Sequence, residues 1–177
     1  MNSLDLEKSL AELTIDVCNI ESVSGNEAEL ADQVEKALQL PHLQVHRDGN
    51  AVIAKTNLGR SKRIILAGHL DTVPVAENLP AKLMHFEREQ VVWGRGSVDM
   101  KGGVAVFLKL ARELVTPKYD LTWIFYDQEE IESEKNGLGR IFRNSPDLLQ
   151  ADFAILGEPS SAQLEGGCNG TIRIEIS

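Results

Sequence analysis

The chain has 177 residues, 42% of them apolar, which suffices for one well-cored domain and is few for two. With 27 acidic against 18 basic residues the net charge is −9, which argues against nucleic acid and anionic membranes as partners. Two cysteines make no disulfide framework, no basic-then-apolar leader opens the sequence, and no run approaches the roughly 18 apolar residues of a membrane span, so a cytoplasmic, soluble protein is expected.

Leu6, Leu10, Leu13 and Val17 recur at helical spacing and predict an amphipathic helix. Ser24-Gly25-Asn26-Glu27 reads as a capping box opening a second helix, with Leu30, Val34 and Leu38 inward and Pro41 past its end. Leu43–Val45 and Ala51–Lys55 flank Asp48-Gly49-Asn50, the composition of a hairpin. Arg63–Ala67 is a short apolar run that stops at Gly68, as a buried strand does, and Val91–Trp93 is another candidate strand. Residues 102–115 are long enough for a helix with Val104, Leu108, Ala111 and Val115 on one face. Leu121–Tyr126 and Phe153–Leu156 are two more strand-like runs, with a short helix near Leu138–Phe142 between them.

Strands alternating with helices predict an α/β fold, a three-layer sandwich whose mixed sheet is mostly parallel and flanked by helices. The last segment, Thr171–Ser177, alternates apolar and polar residues like a strand buried on one face, and it has nothing after it to pair with. It is expected to be the first strand of a second, truncated domain, with residues 1–167 forming the N-terminal part of the first domain and 168–177 entering the next. Gly166–Gly170 would form the hinge or tight turn.

In open α/β sheets the ligand crevice lies beyond the carboxyl ends of the strands. Four strand-like runs here end in polar groups: His69 and Asp71 after the first, then Asp99, then Glu129 and Glu130, then Glu158. One imidazole with several carboxylates suits divalent cations such as zinc, cobalt or manganese. His69 and Asp71 are two apart and share a face on extended backbone, so Asp71 could hold the imidazole's other N–H and fix its tautomer. Two adjacent glutamates at a dry pocket repel one another unless a dication takes one of them. The other is then free to accept a proton from water whose pKa a metal lowers to about 7. The bland alternative is a solvated acidic loop, since Glu132 and Glu134 follow close behind.

Gly94-Arg95-Gly96 and Lys101-Gly102-Gly103 bracket Asp99, but their spacing fits neither the phosphate loop nor the dinucleotide fingerprint. They read instead as glycines that let backbone approach something closely. Cys168 has no paired histidine and is not expected to be a nucleophile. His42, His46 and His85 carry no partner pattern and are expected at surface or edge positions, while Trp93 and Trp123 are expected in the core.

In order, Gly68-His-Leu-Asp-Thr-Val-Pro74, Gly94-Arg-Gly-Ser-Val-Asp-Met-Lys-Gly-Gly103, Glu129-Glu130 and Gly157-Glu-Pro159 resemble one family. It is the zinc aminoacylase, acetylornithine deacetylase and succinyl-diaminopimelate desuccinylase family of metallopeptidases, and the likeness runs from Ile15 to Ser177. By that resemblance His69 and Glu158 bind one metal, Glu130 a second, and Asp99 bridges both, with zinc expected and cobalt or manganese possible. Glu129 would be the general base and Asp71 the orienter of His69, and the Asp99-Met100 peptide would be cis. Tyr126–Gly139 and Glu165–Thr171 are similar to the actinobacterial branch of the desuccinylases. The resemblance implies hydrolysis of N-succinyl-LL-2,6-diaminopimelate, a small N-acyl amino acid, to succinate and the diamine, in lysine and diaminopimelate synthesis. It also implies a homodimer made through a lid domain and a further histidine on the second metal that this sequence lacks. The second metal site is therefore expected to be incomplete and the 177 residues alone to have little activity. The alternatives are acetylornithine deacetylase or dipeptidase chemistry at the same site, a non-catalytic binding module that keeps the fold, or a nucleotide-binding domain.

Overall fold

A single five-stranded sheet organises the molecule, and the alternation of its side chains explains why helices cover both faces. The structure is a computed structural model that describes residues 4–161 and 163–166. The strand expected at Thr171–Ser177, most of the turn expected at Gly166–Gly170, Cys168 and the expected 168–177 domain entry lie outside the described residues.

The strands are β1 (Gln44–Asp48), β2 (Ala51–Lys55), β3 (Arg63–His69), β6 (Asp120–Tyr126) and β7 (Phe153–Leu156), in the order β1-β2-β6-β3-β7. The helices are α1 (Leu10–Asn19), α2 (Ala28–Ala37), α3 (Lys101–Glu113) and α4 (Gly137–Asn144). Two pairings, β1 with β2 and β2 with β6, are antiparallel, while β3 runs parallel to both β6 and β7. Four of the sheet's five strands, β1, β6, β3 and β7, therefore point the same way and β2 runs against them, so the sheet is mixed and mostly parallel as expected, with the hairpin at Gly49 (φ 58) turning β1 back into β2.

Period-two alternation divides the core. Val52, Ala54, Leu66, Leu121, Trp123 and Phe125 face a cluster built with Leu13 and Val17 of α1, Leu30 and Val34 of α2, and Val104 and Leu108 of α3. Ala51, Ile53, Ile65, Ala67, Ile124 and Tyr126 face Ile141 of α4 on the other side. Every residue of β6 is buried, as a central strand covered on both faces requires.

Several local expectations are corrected. α1 begins at Leu10, not Leu6, because Ser9 and Glu12 form the capping box there, the Glu12 carboxylate reaching back to the Ser9 N–H. No capping box opens α2: Glu27 is its N-cap without a side-chain cap, and the Ser24 hydroxyl is used elsewhere. Val115 lies beyond the end of α3 and is exposed. The Val91–Trp93 run belongs to β5 (Glu89–Trp93), which pairs only with β4 (Lys82–Phe86) in a separate hairpin. Trp93 is therefore exposed, with the Lys82 ammonium over its ring at 4.9 Å, whereas Trp123 is fully buried as expected. Among the described residues no helix is long and apolar enough to cross a membrane.

Candidate metal centre

Three parallel strands end at one edge of the sheet, and each of them delivers a site residue at or just past its end. β3 ends at His69, Glu129 and Glu130 follow β6, and Glu158 follows β7. Asp99 arrives by a different route. It sits not at a strand end of this sheet but in the Gly-rich segment just before α3, joined to Met100 by a cis peptide as the resemblance implied.

His69 is fully buried and both its ring nitrogens are engaged. Nδ1 lies 3.0 Å from the Asp71 backbone carbonyl, which can only accept, so Nδ1 carries the proton. Nε2 is 2.9 Å from Asp99 Oδ1 and 3.9 Å from Glu158 Oε2. Donor atoms of His69, Asp99 and Glu130 all lie within 4.8 Å of one another. Two ligand atoms each about 2.0–2.2 Å from one ion are separated by at most about 4.4 Å, so the cluster is slightly wider than a single cation sets and compact enough for neighbouring cations that share a carboxylate.

Asp71 plays a wider part than the sequence indicated. Its carboxylate is 3.5 Å from His69 Nδ1, farther than its own carbonyl, and it accepts from the Ser24 hydroxyl at 2.6 Å. It also accepts from the backbone N–H groups of Glu129 at 2.9 Å and Glu130 at 3.0 Å. One buried carboxylate thereby ties β3 to the loop that carries both glutamates. Ser24 was hidden by its plausibility as a helix cap; only the fold brings it to Asp71.

The electrostatics describe a pocket with too much negative charge. Burial pushes the Glu130 carboxyl up and the Asp99 charge adds to this, with His69 opposing. Burial likewise raises Glu158, opposed by His69 and reinforced by Asp99, Glu129 and Glu130. Burial also works against ionised Asp71, but its hydrogen bonds from His69, Ser24, Glu129 and Glu130 outweigh it and hold Asp71 at about 2. Burial disfavours charged His69, yet Asp71, Asp99 and Glu158 raise it to about 9. Glu130 and Glu158, whose ionisation is disfavoured beside Asp99 and one imidazole, are donors of the kind that could hold a divalent cation.

Beside the cluster lies a cavity of about 340 Å³ lined by Thr72, Arg95, Ser97, Asp99 and Glu130 among others. A larger recess of about 740 Å³ is lined only by the β4–β5 turn, Phe86–Glu89, and contains no site residue. The other histidines take no part: His42 Nε2 bonds the Ala111 carbonyl, and His46 and His85 sit on β1 and β4. The bracketing glycines serve close approach between backbones rather than to an anion. A Cβ on Gly102 would sit 2.7 Å from the Ser97 carbonyl oxygen, and one on Gly103 2.5 Å from that of Gly157.

The profile of Peptidase family M20/M25/M40 matches residues 65–175. A putative succinyl-diaminopimelate desuccinylase of Mycobacterium tuberculosis (strain H37Rv) is 53% identical over 176 residues, 98% of this chain and 49% of that protein. The succinyl-diaminopimelate desuccinylase of Corynebacterium glutamicum is 43% identical over 180 residues, 98% of this chain and 48% of that protein. The chain spans about half the length of these curated relatives. Among solved structures, an M20 family metallo-carboxypeptidase from Sulfolobus solfataricus superposes with a TM-score of 0.67 at 19% identity, over 85% of this chain and 37% of that one. Human carnosine dipeptidase 1 does so with 0.66 at 17%, over 83% and 37%. These two share the fold.

Proposed function

Because the chain belongs to Peptidase family M20/M25/M40, we propose that it carries the larger part of a two-metal amide-hydrolase centre acting on N-succinyl-LL-2,6-diaminopimelate. The observation that carries the metal centre is the convergence of His69, Asp99 and Glu130 donors within 4.8 Å, with Glu158 against the same His69 nitrogen. The substrate assignment is supported by the names of the M. tuberculosis and C. glutamicum relatives.

In this reading His69 and Glu158 would hold one ion and Glu130 the other, with Asp99 available to both. Zinc is the expected metal and cobalt or manganese alternatives, since imidazole with carboxylates suits all three. When bound, the metals would polarise the amide carbonyl and bring the pKa of water to about 7. Glu129 takes a proton from the attacking water and returns it to the departing amine, a general acid–base role typically worth about 10²–10⁴ in rate. Asp71 keeps the His69 Nδ1 proton in place and, through the Glu129 and Glu130 N–H groups, fixes where base and ligand stand. Arg95, whose Nε is buried with no hydrogen-bond partner among the described residues, contributes a cation to the cavity wall beside Asp99, where it balances the charge of an acidic acyl substrate.

The family resemblance extends the proposal to a cytoplasmic enzyme that dimerises outside the described residues. Only one of the four histidines reaches the cluster, so low turnover is expected from these 177 residues. The substrate test compares zinc-dependent succinate release from N-succinyl-LL-2,6-diaminopimelate with acetate release from N-acetylornithine. Faster succinate release supports the proposal; faster acetate release moves the assignment to the deacetylase. The binding-module reading predicts no zinc uptake at all, and Glu130→Ala would then leave metal content unchanged.

A further inference from the structure

Beneath the cluster lies a methionine with no side-chain chemistry of its own. Met100 is fully buried, directly follows Asp99, and its Sδ accepts the His69 backbone N–H at 3.3 Å. Its terminal methyl is ringed by three glycines from three different segments. An added Cβ would lie 2.5 Å from Met100 Cε at Gly68, 3.0 Å at Gly103 and 2.9 Å at Gly157. Each of those glycines stands close in sequence to a site residue. Gly68 precedes His69 at the end of β3, Gly157 precedes Glu158 after β7, and Gly103 is in the first turn of α3, which starts from Asp99-Met100. A side chain at Gly68 or Gly157 would therefore displace the end of Met100 from its seat, while at Gly103 the Gly157 carbonyl oxygen, 2.5 Å away, already excludes one. Phe107 closes the cradle from behind, 2.8 Å from where a Gly157 Cβ would be.

We propose that Met100 is a positioning residue whose thioether sets the spacing between the segments bearing His69, Asp99 and Glu158. The proposal rests on the metal-centre reading above. A long unbranched side chain reaches all three backbones at once, and its soft sulfur tolerates the His69 N–H. A branched or shorter residue cannot occupy the same cradle. Leucine would place two methyl groups one atom nearer the backbone and lose the contact at the chain end. The segments would then repack by a few tenths of an ångström, enough to matter to ligand geometry but little to the fold.

The test uses Met100→Leu, with Met100→Ala as the more drastic form and Leu108→Val as control. Leu108 is buried in the same hydrophobic cluster but is not among the nearest neighbours of the three glycines' added-Cβ positions. Zinc affinity is read by competition with a chromophoric chelator, coordination by the visible spectrum of the cobalt-loaded chain, and folding by thermal unfolding of the metal-free chain. Because groups supporting metal ligands typically change affinity by about 10–100-fold, Met100→Leu is expected to weaken zinc by about tenfold or more and to alter the cobalt bands. Leu108→Val should lower the melting temperature comparably while leaving both metal readouts as in wild type. If Met100→Leu binds zinc like wild type with an unchanged cobalt spectrum, or if Leu108→Val weakens zinc equally, Met100 is ordinary core and the proposal is overturned. Failure of the wild-type chain itself to take up zinc overturns the metal centre, and this proposal with it.

Discussion

Replacing Asp71 by asparagine probes the tie between the histidine and the two glutamates. The side chain is fully buried and accepts from Ser24, Glu129 N–H and Glu130 N–H, with His69 Nδ1 at 3.5 Å. Asparagine keeps the shape but has one acceptor oxygen, and its NH₂ meets a donor that then goes unpaired, at about 1–3 kcal/mol. The charge gives an independent figure. Asp71 is depressed from 3.8 to about 2, and at about 1.4 kcal/mol per pH unit this corresponds to on the order of 2–3 kcal/mol. A depressed carboxyl stabilises above its unfolded pKa and loses that contribution as pH falls through the folded one. The benefit is thus whole at pH 7, about half by pH 3, and gone below about 2. Urea unfolding of metal-free wild type and Asp71→Asn is expected to differ by about 2 kcal/mol at pH 7 and about half that at pH 3. The His69 ring, followed by NMR, should fall from about 9 toward its ordinary 6.5 in the variant. A difference below about 0.5 kcal/mol at pH 7, or one equal at both pH values, refutes the reasoning.

Zinc uptake should release protons at pH 7, because His69 is raised to about 9 and must lose its proton to become a ligand. Affinity then increases with pH up to about 9, and calorimetry in buffers of different ionisation enthalpy measures the proton count; uptake without release contradicts this. In the metal-free chain the same raised pKa stabilises fully below 6.5 and is lost as pH rises through about 9. Gly103→Ala drives a Cβ against the Gly157 carbonyl, and overpacking of this kind costs about 1–3 kcal/mol. Thermal unfolding should show that loss, and zinc affinity should fall with it, since Gly157 adjoins Glu158. Far from the centre, Asp120 accepts from Leu58 N–H, Arg60 N–H and the Thr56 hydroxyl. Asp120→Ala leaves these unpaired at about 1–3 kcal/mol each, partly relieved by water, so urea unfolding at pH 7 should show a loss of several kcal/mol with zinc binding unaffected.

Much of this was legible in the sequence because the signals are local or directional. Apolar runs marked β3, β6 and β7, and the polar residues just past them marked the site, since strand ends and crevice coincide in open sheets. The contacts that assemble the site were not legible, because they join residues remote in sequence. Ser24 reaches Asp71 across 47 positions, and Met100 fits a cradle whose glycines are 35 and 54 residues from one another. Asp99 was attributed to a strand of the main sheet because Val91–Trp93 has strand composition, and composition does not say which sheet a strand joins. Ser24-Gly-Asn-Glu27 matched a capping pattern, but a buried carboxylate outcompeted the helix end for the hydroxyl.

The central claim is that His69, Asp99, Glu130 and Glu158 form a metal centre, and zinc competition against a chromophoric chelator with wild type and Asp99→Ala tests it most directly. Asp99 is half exposed and touches His69 Nε2, so its loss should leave the fold standing while removing the carboxylate nearest the histidine. Wild type is expected to take up zinc, and Asp99→Ala to melt like wild type in the metal-free state yet lose most of that affinity. Equal zinc uptake by both proteins, or none by wild type, would contradict the account.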